Sequence, residues 1–253
     1  MIRGFLEKFT GKGRGPDLSG IEIDRVTYAV GDIHGRADLL DAMIARIGQD
    51  ARGDAPRVIF MGDYIDRGPQ SRQVLERLAG LGDETGWELH FLRGNHEVML
   101  QEFLADPETA SPRWFRNGGL ETMLSYEVGG VGPGATGDAV GDARDRLAAK
   151  LGPLVDWLEG LSACHLTGSV FFAHAGADPT VSIADQSERT LYWGMPSMFE
   201  TARADGIWVV HGHYISETPQ LAPNRIAVDT GAYYSGQLTA ARIAPGAVEF
   251  LST

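Results

Sequence analysis

The sequence has little of several features that would narrow its function quickly. It has one cysteine, Cys164, in 253 residues. An intrachain disulfide and a cysteine-built zinc site are therefore excluded. No run of apolar residues approaches the length needed to span a bilayer. Basic residues are scarce: 22 Lys and Arg stand against 34 Asp and Glu, a net charge of −12. That balance opposes binding to the phosphates of DNA or RNA, so no nucleic-acid partner is expected. The first residues, MIRGFLEKFTGKGRG, lack the apolar core of a signal peptide. With so little cysteine, this points to a cytoplasmic protein with no membrane partner. Residues 1–24 show no period and read as a flexible N-terminal tail. A cysteine-phosphatase loop is also missing, because position 170, six after Cys164, is Val170 rather than arginine. Cys164 reads as a small buried apolar residue.

Against this background stand five short blocks of potential ligands: GDIHG (31–35), GDYIDRG (62–68), RGNHE (93–97), HAG (174–176) and HGH (211–213). Each follows an apolar run with strand character: Val26–Val30, Val58–Met61, Leu89–Leu92, Val170–Ala173 and Ile207–Val210. Five of the seven histidines fall inside the blocks, leaving only His90 and His165 outside. Asp, Asn and His at successive strand ends predict one sheet presenting a mixed oxygen and nitrogen ligand set along one edge. Such a set suits Mn²⁺, Fe²⁺ or Zn²⁺. Asp32 and His34 are two residues apart, so in an extended segment both side chains point the same way, toward one ion.

Between the blocks, Leu39, Leu40, Met43, Ile44 and Ile47, then Val74, Leu75, Leu78 and Leu81, recur at helical spacing. Strand, ligand loop and helix in repetition predict a parallel βαβαβ unit. Residues from about 97 to 162 read as a helical insertion within a single domain, 25–253. In it, Val98–Leu104 and Leu147–Leu161 are predicted helices. GGVGPGATGDAVGD (129–142), with six glycines and a proline, is a surface loop. It lacks the Lys and Ser or Thr of a phosphate-binding P-loop. Further strands are predicted at Arg225–Asp229, Gln237–Ile243 and Val248–Leu251, the last two turning at Pro245–Gly246.

Together, GDIHG, GDYIDRG, RGNHE, HAG and the later GH resemble the signature of the calcineurin-like metallophosphoesterases. More narrowly they are similar to the phosphoprotein phosphatase family, in its bacterial and phage branch. WFRNGGLETMLSY (114–126) and NRIAVDTGAYYSGQLTAARI (224–243) support the likeness, which covers about 26 to 250. The resemblance implies an α/β metallophosphatase sandwich of two mixed β-sheets flanked by helices, with a dinuclear metal site at the strand C-terminal ends. It implies that Asp32 and His34 hold the first of two divalent ions, foremost Mn²⁺, with Fe or Zn as alternatives. Asp63 would bridge both ions, and Asn95, His174 and His213 would hold the second. His96, paired with Asp66, would be the catalytic acid, and Arg67, with Asn95, would contact the substrate phosphate. The implied activity is a serine/threonine protein phosphatase acting on a phosphoprotein. The alternative is symmetrical hydrolysis of diadenosine tetraphosphate or another small phosphate ester or anhydride.

Asp32, Asp63 and Asn95 could cap helices. Glu97 reads as structural, closing a helix start. His211 reads as a packing neighbour of His213, and His90 as core or edge. Intact Asp66, Arg67, Asn95 and His96 argue against a catalytically dead binding module. Two departures from the family stand out. A second phosphate-clamping arginine is expected after a tryptophan in LYWGMPSMFE, where Met195 stands instead; Arg189 and Arg203 are the nearest cations in sequence. The usual Thr-Pro after GH is Tyr214-Ile215.

Overall fold

The computed structural model describes residues 16–253. Strands β1 (Thr27–Val30), β2 (Arg57–Phe60) and β3 (Glu88–Phe91) alternate with helices α1 (Ala37–Ala51) and α2 (Ser71–Thr85). They pair in parallel, with Tyr28 opposite Val58 and Val58 opposite Leu89. The buried faces of the two helices are the apolar residues read from the spacing: Leu39, Leu40, Met43, Ile44 and Ile47, then Val74, Leu75, Leu78 and Leu81.

The chain then runs through α3 (Asn95–Ala105), α4 (Pro107–Trp114), a kink (Phe115–Gly119), α5 (Leu120–Ser125), α6 (Asp138–Leu151) and α7 (Leu154–Glu159). The helix predicted across 147–161 breaks at Gly152, where φ is 53°. The glycine-rich segment is shorter than read, because its last residues, from Asp138 on, open α6. A second sheet follows: β4 (Cys164–Thr167), β5 (Val170–Ala173), α8 (Glu188–Trp193), β6 (Trp208–His211), β7 (Gln220–Ala222) and β8 (Arg225–Ala227). After the short α9 (Ala232–Ser235), β9 (Thr239–Ala244) and β10 (Ala247–Ser252) return to the first sheet as an antiparallel pair. The strand orders are β10-β9-β1-β2-β3 and β4-β5-β6-β8-β7.

The single ligand-bearing sheet expected from the strand pattern is thus two mixed sheets, as the family resemblance implied. Side-chain alternation explains the layering. Ala29, Ile59, Phe172, Val210, Ile226 and Ala241 point between the sheets and form the central core. Tyr28, Val30, Val58 and Phe60 point the other way, under the helices. On the outer face of the second sheet, Phe171, Ala173 and Val209 pack with Leu191 and Tyr192. β1, β2, β5 and β6 are buried on both faces and read as continuous apolar runs, whereas β3 is only half-buried.

Part of the expected N-terminal tail is packed. Residues 1–15 lie outside the described residues, but Ile21 and Ile23 join the central core. Glu22 N–H donates to Ser169 Oγ at 2.8 Å, and Ser169 N–H donates to Glu22 O at 2.9 Å. Two isolated apolar residues at alternate positions make too short a pattern to read as a strand, and these pack as irregular chain. Among the described residues, no helix is long and apolar enough to cross a membrane.

The two sheets meet along the β3 and β4 edges. Ser162 N–H donates to Phe91 O at 3.1 Å, and Arg93 N–H donates to Ser162 O at 2.8 Å. There the rings of His90 and His165 lie 3.8 Å apart. His165 Nε2 is buried without a partner. Burial and the neighbouring His90 push the His165 pKa from 6.5 to about 4. Below pH 6.5 the unfolded chain therefore binds a proton here that the folded chain refuses. Stability from this group is complete above pH 6.5 and declines as pH falls toward 4. Thermal melts at pH 7 and pH 5 test this: the wild type loses more than His165→Phe. Equal losses would remove His165 as the cause.

Candidate active site and metal centre

All five blocks converge where the C-terminal ends of β1, β2, β5 and β6 and the start of α3 face one another. The backbone there is strained. Eight non-glycine residues among those described have positive φ, and five belong to this site: His34 (46°), Asp63 (52°), Asp66 (71°), Arg67 (67°) and His213 (62°). Such conformations persist only where the surroundings impose them, and they concentrate at functional sites. The glycines allow the loops to approach closely. At Gly62, φ is 98°, and a Cβ would lie 2.5 Å from Gly94 N; a Cβ at Gly94 would overlap the Asp63 carboxylate.

Glu97 ties these loops together. It is fully buried, and its carboxylate accepts the N–H groups of Asp63 (2.8 Å), Tyr64 (2.8 Å) and Gly94 (2.9 Å). Burial and the nearby Asp63 charge push its pKa up to about 7, although the N–H groups of Tyr64 and Gly94 pull the other way. The helix-closing role read from sequence is present, since Gly94 precedes α3, but the same carboxylate also secures the loop after β2.

Asp63 lies between two groups of donors. Its Oδ1 is 3.4 Å from His174 Nε2, and its Oδ2 is 3.5 Å from His34 Nε2 and 3.8 Å from His96 Nε2. On the first side, Asn95 Oδ1 is 2.9 Å from both His174 Nε2 and His213 Nδ1, and the two imidazoles approach to 3.2 Å. His174 Nδ1 must donate to Met61 O, 3.0 Å away, because a carbonyl only accepts. His174 Nε2 therefore turns a lone pair toward two further acceptors, Asn95 Oδ1 and Asp63 Oδ1. Acceptors converging without a proton between them fit a cation. His34 is oriented in the same manner, Nδ1–H donating to Ile65 O at 2.8 Å, and its Nε2 accepts from Arg67 Nη1 at 3.1 Å. Burial lowers the pKa of all three imidazoles, His213 to about 3. They are held in the neutral form that metals require.

Asp32 is placed differently from the simple spacing argument. His34 turns at positive φ, so the chain is not extended and the two side chains do not run in parallel. The buried Asp32 carboxylate accepts His213 N–H at 3.0 Å. It also adjoins Asp229, a residue not singled out from the sequence. Burial raises both pKa values, Asp229 to about 6; the Asp229 charge raises Asp32 further, while a hydrogen bond from Asp32 works against the rise of Asp229. A cation beside Asp32 would relieve the same repulsion that a proton relieves in its absence. The signal for Asp229 was present in VDTG (228–231), an acid at the end of a predicted strand.

His96 faces the same space. Its Nδ1 donates to Asp66 Oδ2 at 2.6 Å. Burial would lower the His96 pKa, but the Asp63 and Asp66 carboxylates outweigh it and raise the value above 6.5. Asp66 is itself oriented by Trp114 Nε1–H (2.9 Å) and Thr122 Oγ1–H (2.6 Å). Neither supporting residue had been assigned a role from the sequence, although both lie in WFRNGGLETMLSY. Arg67 packs over the Tyr233 ring, 5.0 Å from its centroid. His211 lies outside this cluster: it is buried, and its ring stands edge-on to Phe199 and Tyr214. Arg203, a nearby cation in sequence to Met195, is committed to Asp205 and to the carbonyls of Asp178 and Val181.

Known proteins share this arrangement of sequence and fold. The symmetrical bis(5'-nucleosyl)-tetraphosphatase of Chromohalobacter salexigens is 26% identical over 268 residues, covering 87% of this chain and 95% of that protein. The asymmetrical bis(5'-nucleosyl)-tetraphosphatase PrpE of Bacillus subtilis is 27% identical over 233 residues, covering 84% and 88%. In fold, the cold-active protein-tyrosine phosphatase of a psychrophilic Shewanella superposes with a TM-score of 0.55 at 18% identity, covering 92% of this chain and 84% of that one. The sequence model of one family matches residues 26–235, most of the chain and all five blocks: this protein belongs to the calcineurin-like phosphoesterases.

Proposed function

We propose that this chain is a two-metal phosphohydrolase that cleaves the phosphate anhydride of dinucleoside tetraphosphates, with phosphoprotein hydrolysis as the second reading. One observation carries the hydrolase assignment: the two oxygens of Asp63 face separate donor groups, beside both a guanidinium and a raised-pKa imidazole. His34 and Asp32 would hold one divalent ion, Asn95, His174 and His213 the other, and Asp63 both. The donors are oxygen and nitrogen only, which suits Mn²⁺ first, and Fe or Zn next. When bound, such ions supply Lewis-acid charge to a phosphoryl group and lower the pKa of water.

The chain's own residues supply the rest. Arg67 offers a planar fork matched to phosphate oxygens, and Tyr233 limits how that fork can turn. Asn95 would contact the substrate phosphate as well as the ion. As water adds to phosphorus it gives up a proton to solvent and the bond to the leaving oxygen breaks; His96 Nε2 gives a proton to a poor leaving oxygen such as an alkoxide or phenolate, whereas a nucleoside diphosphate departs as its anion. Asp66 keeps Nδ1–H occupied and stabilises the charged imidazole, as in other oriented histidine acids.

The order of the two substrate readings rests on two supports. The curated relatives that span this chain bear the names of tetraphosphatases. In addition, Met195 stands where a phosphomonoester clamp would need arginine. The phosphoprotein reading keeps its support in the intact motif set. Turnover of diadenosine tetraphosphate and of a phosphoserine peptide, each by the Mn²⁺-loaded protein, tests the choice. The tetraphosphate is expected to have the higher kcat/KM by at least about tenfold, the worth of one added charged hydrogen bond. A faster phosphopeptide reverses the order. Two ADP per substrate mark symmetrical cleavage, and AMP plus ATP asymmetrical cleavage. Failure to hydrolyse either substrate or p-nitrophenyl phosphate, with metal bound normally, would sink the enzyme reading.

A further inference from the structure

The segment Trp114–Gly119 contains a feature that the hydrolytic step does not use. Its two ends are locked to the catalytic loop. Trp114 donates to Asp66, and Gly118 O accepts Arg67 N–H at 3.3 Å. Gly118 sits at φ 101°, and a Cβ there would lie 2.5 Å from Arg67 N. A Cβ at Gly119 would strike the Trp114 indole. Phe115–Gly119 therefore form a kink between α4 and α5, where Gly118 leaves the helical conformation. Between the anchors stand Arg116 and Asn117. Asn117 turns back to Arg113 O at 2.8 Å. Arg113 pairs with Glu102 and stacks on Trp193.

Arg116 is exposed and forms no ion pair or hydrogen bond with the described residues. It lines a groove of about 410 Å³ together with Arg67, Phe115, Tyr233 and Glu121. Two guanidiniums against one carboxylate leave the charged lining net positive. Aromatic rings of Phe115 and Tyr233 line the same space. The cations nearest Met195 in sequence do not serve this groove: Arg203 is committed elsewhere, and Arg189 is not among its lining residues.

We infer that Arg116 binds a second phosphoryl group of a substrate whose scissile phosphate is held by Arg67. The groove then selects chains of linked phosphates over isolated phosphomonoesters, with its second cation supplied by the kink after α4. This rests on the phosphohydrolase reading and deepens its substrate assignment. The anchoring of the turn to Asp66 and Arg67 holds the backbone that carries Arg116 beside the Arg67 loop. A guanidinium fork matches phosphate oxygens where a single ammonium does not.

The test uses the full chain loaded with Mn²⁺, with Arg116→Ala and Arg116→Lys. The ratio of kcat/KM for diadenosine tetraphosphate to that for p-nitrophenyl phosphate should fall about 10–100-fold in Arg116→Ala, mainly through KM. Arg116→Lys should recover part of it. A second arm measures inhibition of p-nitrophenyl phosphate hydrolysis by inorganic tripolyphosphate and by orthophosphate at fixed free Mn²⁺. Wild type should favour tripolyphosphate, and Arg116→Ala should lose that preference. Thermal melting shows whether the variants are folded. If the wild type does not cleave the tetraphosphate, the anhydride reading falls, yet the tripolyphosphate arm still decides the role of Arg116. Unchanged ratios in both arms, or equal losses toward both substrates and both inhibitors, overturn it.

Discussion

His96→Asn lowers turnover of phenyl phosphate by about 10²–10⁴-fold, the usual contribution of a positioned general acid. The p-nitrophenyl ester loses much less, because its leaving oxygen departs without a proton. Metal content of the purified variant is unchanged. The reason lies in what His96 is committed to. Its Nδ1 donates to Asp66 at 2.6 Å, and the carboxylates of Asp63 and Asp66 hold its pKa above 6.5. A protonated imidazole gives up a proton and does not ligate a cation. Its Nε2 nevertheless lies with His34 and Asp63 in one donor group, so the ligand role has to be tested. Asp63→Asn provides the contrast. It removes the charge that faces both donor groups, and metal per chain measured by mass spectrometry falls along with turnover. Equal metal loss in the two variants would make His96 a ligand rather than the acid. The pH profile adds a signed check. An acid with a raised pKa stays protonated past 6.5, so the rate declines on the alkaline side as pH climbs through its folded value. His96→Asn lacks that decline.

Glu97→Ala should cost about 3–6 kcal/mol of folding stability, read from urea denaturation. Three buried N–H groups, those of Asp63, Tyr64 and Gly94, lose their only acceptor. A buried polar group left unpaired costs about 1–3 kcal/mol. Glu97→Gln retains one carbonyl oxygen but turns an amide N–H₂ toward the remaining N–H, so its cost falls between. Metal affinity drops in Glu97→Ala as well, because the same carboxylate positions the Asp63 backbone at its unfavourable φ. A loss below about 1 kcal/mol for Glu97→Ala would mean that the loops hold themselves, and would contradict this account.

The candidate metal donors were readable in the sequence because each lies within a few residues of a strand end, and four of those strands are buried on both faces and carry a continuous apolar signature. Asp63, Asn95, His174 and His213 come together as the five blocks implied. His34 also joins the cluster, but its partnership with Asp32 could not be read from i and i+2 spacing. That rule assumes extended backbone, and His34 adopts φ of 46°. The residues that orient the catalytic pair were less accessible. Trp114 and Thr122 reach Asp66 across separations of 48 and 56 residues, and no local period encodes such a contact. Asp229 was visible as an acid at a strand end, yet its pairing with Asp32 depends on β8 lying beside β6 in the second sheet.

The sequence by itself determined which residue types stand at the strand ends: the candidate cation-binding atoms, the arginine that follows the second strand, and the histidine next to Asn95. These follow from residue type and short-range order, where backbone geometry leaves few choices. Only the tertiary structure decided that two sheets rather than one supply the donors. It also decided that one carboxylate, Glu97, secures both central loops, and that an arginine from a helical insertion shares a groove with Arg67. Those relations depend on how distant segments pack, and packing is a property of the whole folded chain.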